Sequence, residues 1–389
     1  MRIFYAAGAS PNAYDISESR LWERNLHDSL VEMGHEVVRF SRDVTWHFTQ
    51  YGQYGSSPED TGKFLEYVRH LQSALLEEIA AVHRKSPIDL FFSYFWNEMC
   101  DPQTIEEIKA LGIKTMNWFC NASYQFHLVA SLAPHFDWCL VPEKFRLKDY
   151  AAVGAHPVYC QEAANPNVYK PFNLPKEFDV TFIGQAYGDR PGFIDYLLRR
   201  GIDIRVWGYG WQNFTPGGGK PRNKPLRRAI RSFTRRVANW GKYRTEAPTP
   251  DILRRGVELP PRVVGGVLSD EDLIRMYSRS KINLGFSTCG STHEGEERIL
   301  QLRLRDFEVP MSGGFYLVEY MEELEDFFDI GKEIVCYSGP EELAAKIDYY
   351  LKNEDEREAI ALAGLQRCRR DHTWKRRFEN VFREVGLSG

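Results

Sequence analysis

The run Leu302-Arg303-Leu304-Arg305-Asp306-Phe307-Glu308-Val309-Pro310-Met311-Ser312-Gly313-Gly314-Phe315 has the residue types needed to hold a phosphorylated ligand. Its pattern reads as a helix that ends in Ser-Gly-Gly and leads straight into a strand opening at Phe315. Small residues at Ser312, Gly313 and Gly314 would let backbone amides approach a ligand where a larger side chain would block it. Arg303 and Arg305 can neutralise a diphosphate through paired, charge-assisted hydrogen bonds. Glu308 is an acceptor suited to ribose hydroxyls, the job acidic residues do in nucleotide-binding α/β folds. The same letters also describe a solvated helix face closed by a glycine cap.

A second run, Phe182-Ile183-Gly184-Gln185-Ala186-Tyr187-Gly188-Asp189-Arg190, reads as a strand entering a glycine turn that opens a helix. Backbone amides at Gly184 and Gln185, the helix N-terminus and Arg190 would then converge on an anion. The next expected strand ends Val206-Trp207-Gly208-Tyr209-Gly210-Trp211, with aromatic rings beside glycines where a base or sugar ring could stack. Core packing explains Trp207 equally well.

Both runs need strands to position them, and the chain supplies these in alternation with helices. Strand-like segments fall at 2–7, 35–40, 89–94, 114–119, 137–141 and 156–160, with helical spacing at 18–34 and 58–85 among them. That order predicts a parallel sheet with helices on both faces. Three prolines between 165 and 175 break the rhythm and mark a linker. The alternation restarts with strands at 178–184, 202–208, 262–267, 281–286, 314–320 and 332–337. The expected class is therefore α/β, as two doubly wound Rossmann-like domains facing across a cleft, the GT-B architecture. Its parts are 1–165, 166–371 and a final helix in 372–389 that returns to the first domain on Trp374, Phe378 and Phe382. Ligands of such sheets sit at the carboxyl ends of the strands.

Bulk composition narrows the partners. A chain of 389 residues exceeds what one core usually serves. Its net charge of −4 gives no reason to expect nucleic acid. Seven scattered cysteines, never spaced as Cys-x-x-Cys, indicate neither a disulfide framework nor a zinc site, so a reducing cytoplasm is expected. No apolar run approaches the length of a membrane span. One segment departs from the average: residues 212–262 hold 13 Lys and Arg against three acidic residues. Within it Leu226, Ile230, Phe233, Val237 and Trp240 recur at helical spacing, as in a basic amphipathic helix. An exposed insert on its own domain explains this; the sharper expectation is peripheral contact of 220–244 with an anionic membrane or a phosphate-bearing acceptor.

The C-terminal half resembles the glycosyltransferase group 1 relatives that include the spore maturation protein CgeB. The resemblance is carried by Asp179-Val180-Thr181-Phe182-Ile183-Gly184, Gly208-Tyr209-Gly210-Trp211, Lys281-Ile282-Asn283-Leu284, Leu304-Arg305-Asp306-Phe307-Glu308 and Gly313-Gly314-Phe315. It continues through Gly331-Lys332-Glu333-Ile334, Pro340-Glu341-Glu342-Leu343 and Asp371-His372-Thr373-Trp374. The N-terminal half is similar at 22–40, at Asn117-Trp118-Phe119 and at Ala163-Ala164-Asn165-Pro166. The resemblance implies transfer of a sugar from a nucleoside diphosphate donor to a glycan or other hydroxyl acceptor, with no cofactor and no metal bound to an Asp-x-Asp motif. Glu308 matches the second glutamate of the family's Glu-x7-Glu element, which contacts the donor nucleotide. The first is absent, its position being Leu300, and the aspartate usual after Trp-Phe is replaced in Trp118-Phe119-Cys120-Asn121. A nucleotide-sugar epimerase and a non-catalytic sugar-binding or assembly protein share the fold and stand as alternatives.

An inverting transferase would also need a base. Asp15 and Glu18 after the first strand, and His127 after the Trp118-Phe119 strand, are the candidates, with His293 and Glu294 nearer the donor. Asp15 and Glu18 serve equally as cap and first-turn residues of the helix they precede, and His127 as a surface histidine.

Overall fold

A computed structural model describes residues 1–8, 19–42, 44, 58–218, 256–290, 292 and 298–387. Within them the chain forms two compact units, one comprising the residues up to 161 together with 374–387, the other running from 162 to 373.

The first unit is built on a six-stranded sheet of β1 (Arg2–Ala6), β2 (Glu36–Arg39), β3 (Leu90–Ser93), β4 (Lys114–Trp118), β5 (Trp138–Val141) and β6 (Pro157–Tyr159). The spatial order is β2-β1-β3-β4-β5-β6 and every pairing is parallel. Ile3-Phe4-Tyr5 and Leu90-Phe91-Phe92 are apolar without alternation because both faces of such a sheet are covered. The helices between them include α1 (Leu21–Glu32), α2 (Pro58–Lys85) and α3 (Pro102–Ala110). Asp101 starts α3 by accepting the Thr104 amide at 2.9 Å, with Pro102 at the first helical position. The C-terminal helix (Trp374–Glu384) buries Trp374, Phe378, Val381 and Phe382. It sets Trp374 edge-on to Trp118, ring centroids 5.2 Å apart, and Phe378 edge-on to Phe92 at 5.8 Å.

The second unit carries β7 (Phe178–Ile183), α4 (Arg190–Arg199), β8 (Ile204–Trp207), α5 (Asp270–Arg279), β9 (Ser280–Gly285), α6 (Leu304–Met311), β10 (Tyr316–Glu319), β11 (Val335–Tyr337), α7 (Pro340–Lys352) and α8 (Glu354–Asp371). Its five strands are parallel in the order β11-β10-β9-β7-β8. In both sheets the first strand of the unit lies between the second and the third. The chain therefore leaves in opposite directions on its two sides, and the loops part to leave a crevice at the carboxyl edge.

One expected strand is not there. Residues 262–267 give a short 3-10 turn, Pro261–Val263, and a single bridge from Val264 to Val206. The Val263 and Val264 amides turn back to Pro260 O and Pro261 O at 2.9 and 3.2 Å, so the backbone of the segment meets β8 and its end only through Gly265 N to Val206 O at 2.7 Å and Gly208 N to Gly266 O at 3.1 Å. The strand expected at 332–337 is shortened to Val335–Tyr337. The basic amphipathic helix expected within 212–262 falls mainly outside the described residues, as do Asp15, Glu18, His293 and Glu294. All seven cysteines are free and buried. Among the described residues no helix is long and apolar enough to cross a membrane.

Candidate functional site

In the second unit the crevice lies between β7 and β9, and its lining follows from how two glycines are used. The Gly184 amide donates to Trp207 O at 2.8 Å, and Trp211 Nε1 donates to Gly184 O at 2.6 Å. Gly208 has φ +129°, and a Cβ on it would stand 2.7 Å from the Gly184 carbonyl carbon. Only glycine lets the two loops press together there. Gly184 and Gly208 thus serve close backbone packing rather than offering free amides, a correction to their expected role. Trp207 is half-buried, with Gly265 against its indole and Phe178 edge-on at 5.2 Å. Tyr209, 42% exposed, is the aromatic residue of that run left at the surface.

Three arginines gather beyond Gly184. Arg190 is 2% exposed at the start of α4; its Nη1 donates to Gln185 O at 3.0 Å and its Nη2 to the Tyr187 hydroxyl at 2.8 Å. Its guanidinium lies over the Tyr187 ring, 3.8 Å from the centroid. Gln185 therefore contributes its carbonyl. Arg303 comes from the start of α6; its Nη2 donates to Thr288 O at 2.6 Å, and its guanidinium is 5.9 Å from the Tyr187 ring centroid. Arg305 follows two residues later, its guanidinium carbon 3.4 Å from where a Cβ on Gly184 would stand. Burial, helped by the neighbouring charges of Arg303 and Arg305, holds the Arg190 pKa down to about 10. Arg190 Nε and Arg305 Nε are buried with no hydrogen-bond partner. Three crowded cations, two of them with an unused donor, suit an anion of more than one charge.

Buried carboxylates hold the loops that carry these arginines. Arg298 donates through Nε and Nη2 to Asp189 Oδ2 at 3.0 and 2.8 Å, and its Nη2 also donates to Glu319 Oε1. Glu319 Oε2 accepts the Ser287 amide at 3.1 Å, while Thr288 Oγ1 donates to Asp189 Oδ2 at 3.2 Å. Asp189 precedes Arg190, and the Ser287-Thr288 loop holds Arg303. One guanidinium thus links the ends of β7, β9 and β10. Burial pushes the Glu319 pKa up, and Arg298 opposes that shift. Helix α6 is started by Asp306, whose Oδ2 accepts the Arg303 amide at 2.7 Å and whose Oδ1 accepts the Tyr316 hydroxyl at 2.6 Å.

The far end of α6 is a second correction. Ser312, Gly313 and Gly314 spend their amides on Glu308 O (3.0 Å), Pro310 O (2.9 Å) and Val309 O (3.0 Å), closing the helix before β10. A Cβ on Gly313 would meet Pro171, and one on Gly314 would meet Asn283 and Val309. Phe315 is part of the hydrophobic core beneath the sheet, 4.8 Å from the Tyr350 ring. These four residues lie at the amino edge of the sheet and do not line the crevice. Glu308, 4% exposed, accepts the Tyr169 hydroxyl at Oε1 and the Tyr277 hydroxyl at Oε2 (3.3 Å). His127 falls in the 3-10 turn Phe126–Leu128 of the first unit, where its carbonyl accepts Asn97 Nδ2 at 3.4 Å.

Sequence reasoning missed Tyr187, Asp189, Arg298 and Glu319. Asp189 and Tyr187 stood inside the run that exposed Arg190, so their polarity was the available signal. Nothing local relates residues 189, 298 and 319; sheet topology alone brings them together.

Residues 190–383 match a family model described as "Glycosyl transferase-like". No curated protein matches the chain. Among solved structures it is similar to a sucrose-phosphate synthase from Thermosynechococcus elongatus, with TM-score 0.56 and 11% identity over 100% of both chains. It is similar to HepE from Anabaena in complex with UDP-glucose, with TM-score 0.54 and 9% identity over 100% of this chain and 99% of that one. A glycosyltransferase from Rickettsia africae gives TM-score 0.54 and 12% identity, again over 100% and 99%. At such identities the likeness is one of fold, and the fold is GT-B.

Proposed function

We propose that the chain transfers a sugar from a nucleoside diphosphate donor to a hydroxyl acceptor on a glycan or small molecule. The observation that carries this is the convergence of Arg190, Arg303 and Arg305 at the carboxyl-edge crevice of the second sheet. The arginines lie in the segment matched by the glycosyl transferase-like model, and HepE, of similar fold, holds UDP-glucose.

Departure of a nucleoside diphosphate develops negative charge on its β-phosphate. Fixed guanidinium groups in a water-poor corner stabilise that charge without reorganising. Three cations supply what a metal ion would, so the reaction is proposed to be metal-independent. Gln185 and Tyr187 orient Arg190, and Arg298 keeps the three loops in register. The motifs it shares with the CgeB-like branch support membership of that branch.

The test is a thermal-shift screen against UDP, GDP and ADP, followed by incubation with the matching sugar nucleotides. A ligand at about 100 Kd adds about 2.7 kcal/mol of stability, which is readily measured. Product on an added hydroxyl acceptor supports transfer. A new nucleotide-sugar formed with no acceptor would identify an epimerase, and absence of any shift at millimolar concentration would remove the reading.

A further inference from the structure

The three arginines of the crevice do not spend their donors alike. Arg190 gives Nη1 to Gln185 O and Nη2 to the Tyr187 hydroxyl, which leaves Nε. Arg303 gives Nη2 to Thr288 O. Among the described residues the Arg305 side chain forms no ion pair and no hydrogen bond of ordinary geometry, and its Nε is buried. Glu308, the carboxylate three residues further along α6, is occupied instead by the Tyr169 and Tyr277 hydroxyls. A guanidinium carries five donors in one plane, and leaving them unmade in a half-buried position costs free energy. Two further costs add to this. Arg305 is the second residue of α6, where the helix dipole disfavours a cation, and it stands in the field of Arg190. No polar contact with the protein offsets these costs, whereas an anion held at the fork would offset all three. Its guanidinium carbon lies 3.4 Å from where a Cβ on Gly184 would stand, so bare main chain flanks it there.

We infer that Arg305 is the residue that grips the phosphate, taking two of its oxygens on one guanidinium fork. Arg190, with Nε to give, and Arg303, fixed on Thr288 O, frame that grip. The inference rests on the proposed function and divides the labour within its arginine cluster. A fork on phosphate serves any ligand that carries the group, whatever its nucleoside.

Arg305→Lys keeps the charge and removes the fork, and Arg305→Gln removes the charge as well. Inorganic pyrophosphate and UDP are titrated calorimetrically into the full chain and both variants, and each protein is also melted without ligand. Arg305→Lys is expected to weaken pyrophosphate and UDP by the same factor, about tenfold, because an ammonium replaces one of two parallel bonds. Its melting temperature should match wild type, since no hydrogen bond to the protein is lost. Arg305→Gln is expected to weaken both ligands about 100-fold. The lysine variant covers the case in which the glutamine variant fails to fold. Wild-type pyrophosphate affinity in Arg305→Lys would overturn the inference, reduce Arg305 to a diffuse charge and leave the proposed function standing. A loss confined to UDP, or one accompanied by a fall in melting temperature, would overturn it equally, by putting Arg305 on the nucleoside or in the fold. A wild-type chain that binds neither pyrophosphate nor UDP, GDP or ADP would remove both.

Discussion

The two sheets share a strand order and a switch point, yet the side chains gathered at their carboxyl edges are of opposite kinds. In the first unit, Ser93 Oγ and the Phe95 amide both donate to Asn117 Oδ1 at 2.8 Å, and Asn117 Nδ2 returns to Phe95 O at 3.0 Å. Aromatic rings pack around this buried amide, with Trp22 and Trp118 centroids 4.7 Å apart and Tyr94 and Phe119 centroids 5.7 Å apart. The second unit places three arginines and two buried carboxylates at the equivalent point. Topology decides where a crevice forms. The residues at the strand ends decide whether rings or an anion fill it.

The largest effect should come from the charge network. Arg298→Met leaves Asp189 and Glu319 buried beside each other without their shared cation, a loss of about 3–5 kcal/mol. The deficit in urea unfolding should be smaller at pH 5 than at pH 8, because two carboxylates without a cation relieve their repulsion by binding protons. Equal deficits at both pH values would mean that the network acts by packing alone.

Trp118→Ala probes the other sheet. The ring is fully buried against Trp22 and Trp374, so its removal should cost about 4 kcal/mol. The arginine cluster lies wholly in the second unit, so UDP affinity of the folded variant should match wild type. A loss of UDP binding at temperatures where the variant remains folded would erase the distinction between the two crevices.

How much of this was legible in the sequence follows the same divide. Strand-helix alternation, the residues of β1, β3, β4, β7 and β9, and the Trp374, Phe378 and Phe382 stripe could all be read because burial imposes a local period on the chain. The arginines were legible as charge beside glycine turns. The ends of α6 were not: a glycine pair that closes a helix and one that cradles a phosphate use the same letters. Only the hydrogen bonds of Ser312, Gly313 and Gly314 distinguish the two. Nor could sequence show that Gly265 lies against the Trp207 indole, since that contact depends on a loop folding back onto β8.

Arg190→Ala removes the most buried of the three cations and should weaken pyrophosphate and UDP binding by about 10–100-fold, on the scale of one or two charge-assisted bonds. Calorimetric titration at two salt concentrations checks it. Arg190→Lys should recover only part of the loss, because an ammonium group cannot serve Gln185 O, the Tyr187 hydroxyl and a phosphate in one plane. Full recovery by lysine would reduce the cluster to a diffuse positive field.

Asp306 gives the finest comparison. It is buried at the start of α6, and burial raises its pKa to about 6, against the pull of the Tyr316 hydroxyl and the Arg303 amide. The folded chain therefore holds this proton more tightly than the unfolded chain does. Its contribution is fully present below the unfolded carboxyl pKa of about 4 and is lost as pH rises through about 6, a change of about 3 kcal/mol. Asp306→Asn keeps a side-chain oxygen for one of the two donors and has no proton to lose, so wild-type stability minus variant stability should decline between pH 4 and 6. If the two curves run parallel, Asp306 is ionised throughout, and the start of α6 is as polar as the arginines beside it. If they converge as expected, the proton on Asp306 reports that this corner of the second sheet is dry enough to make fixed arginines effective on a phosphate.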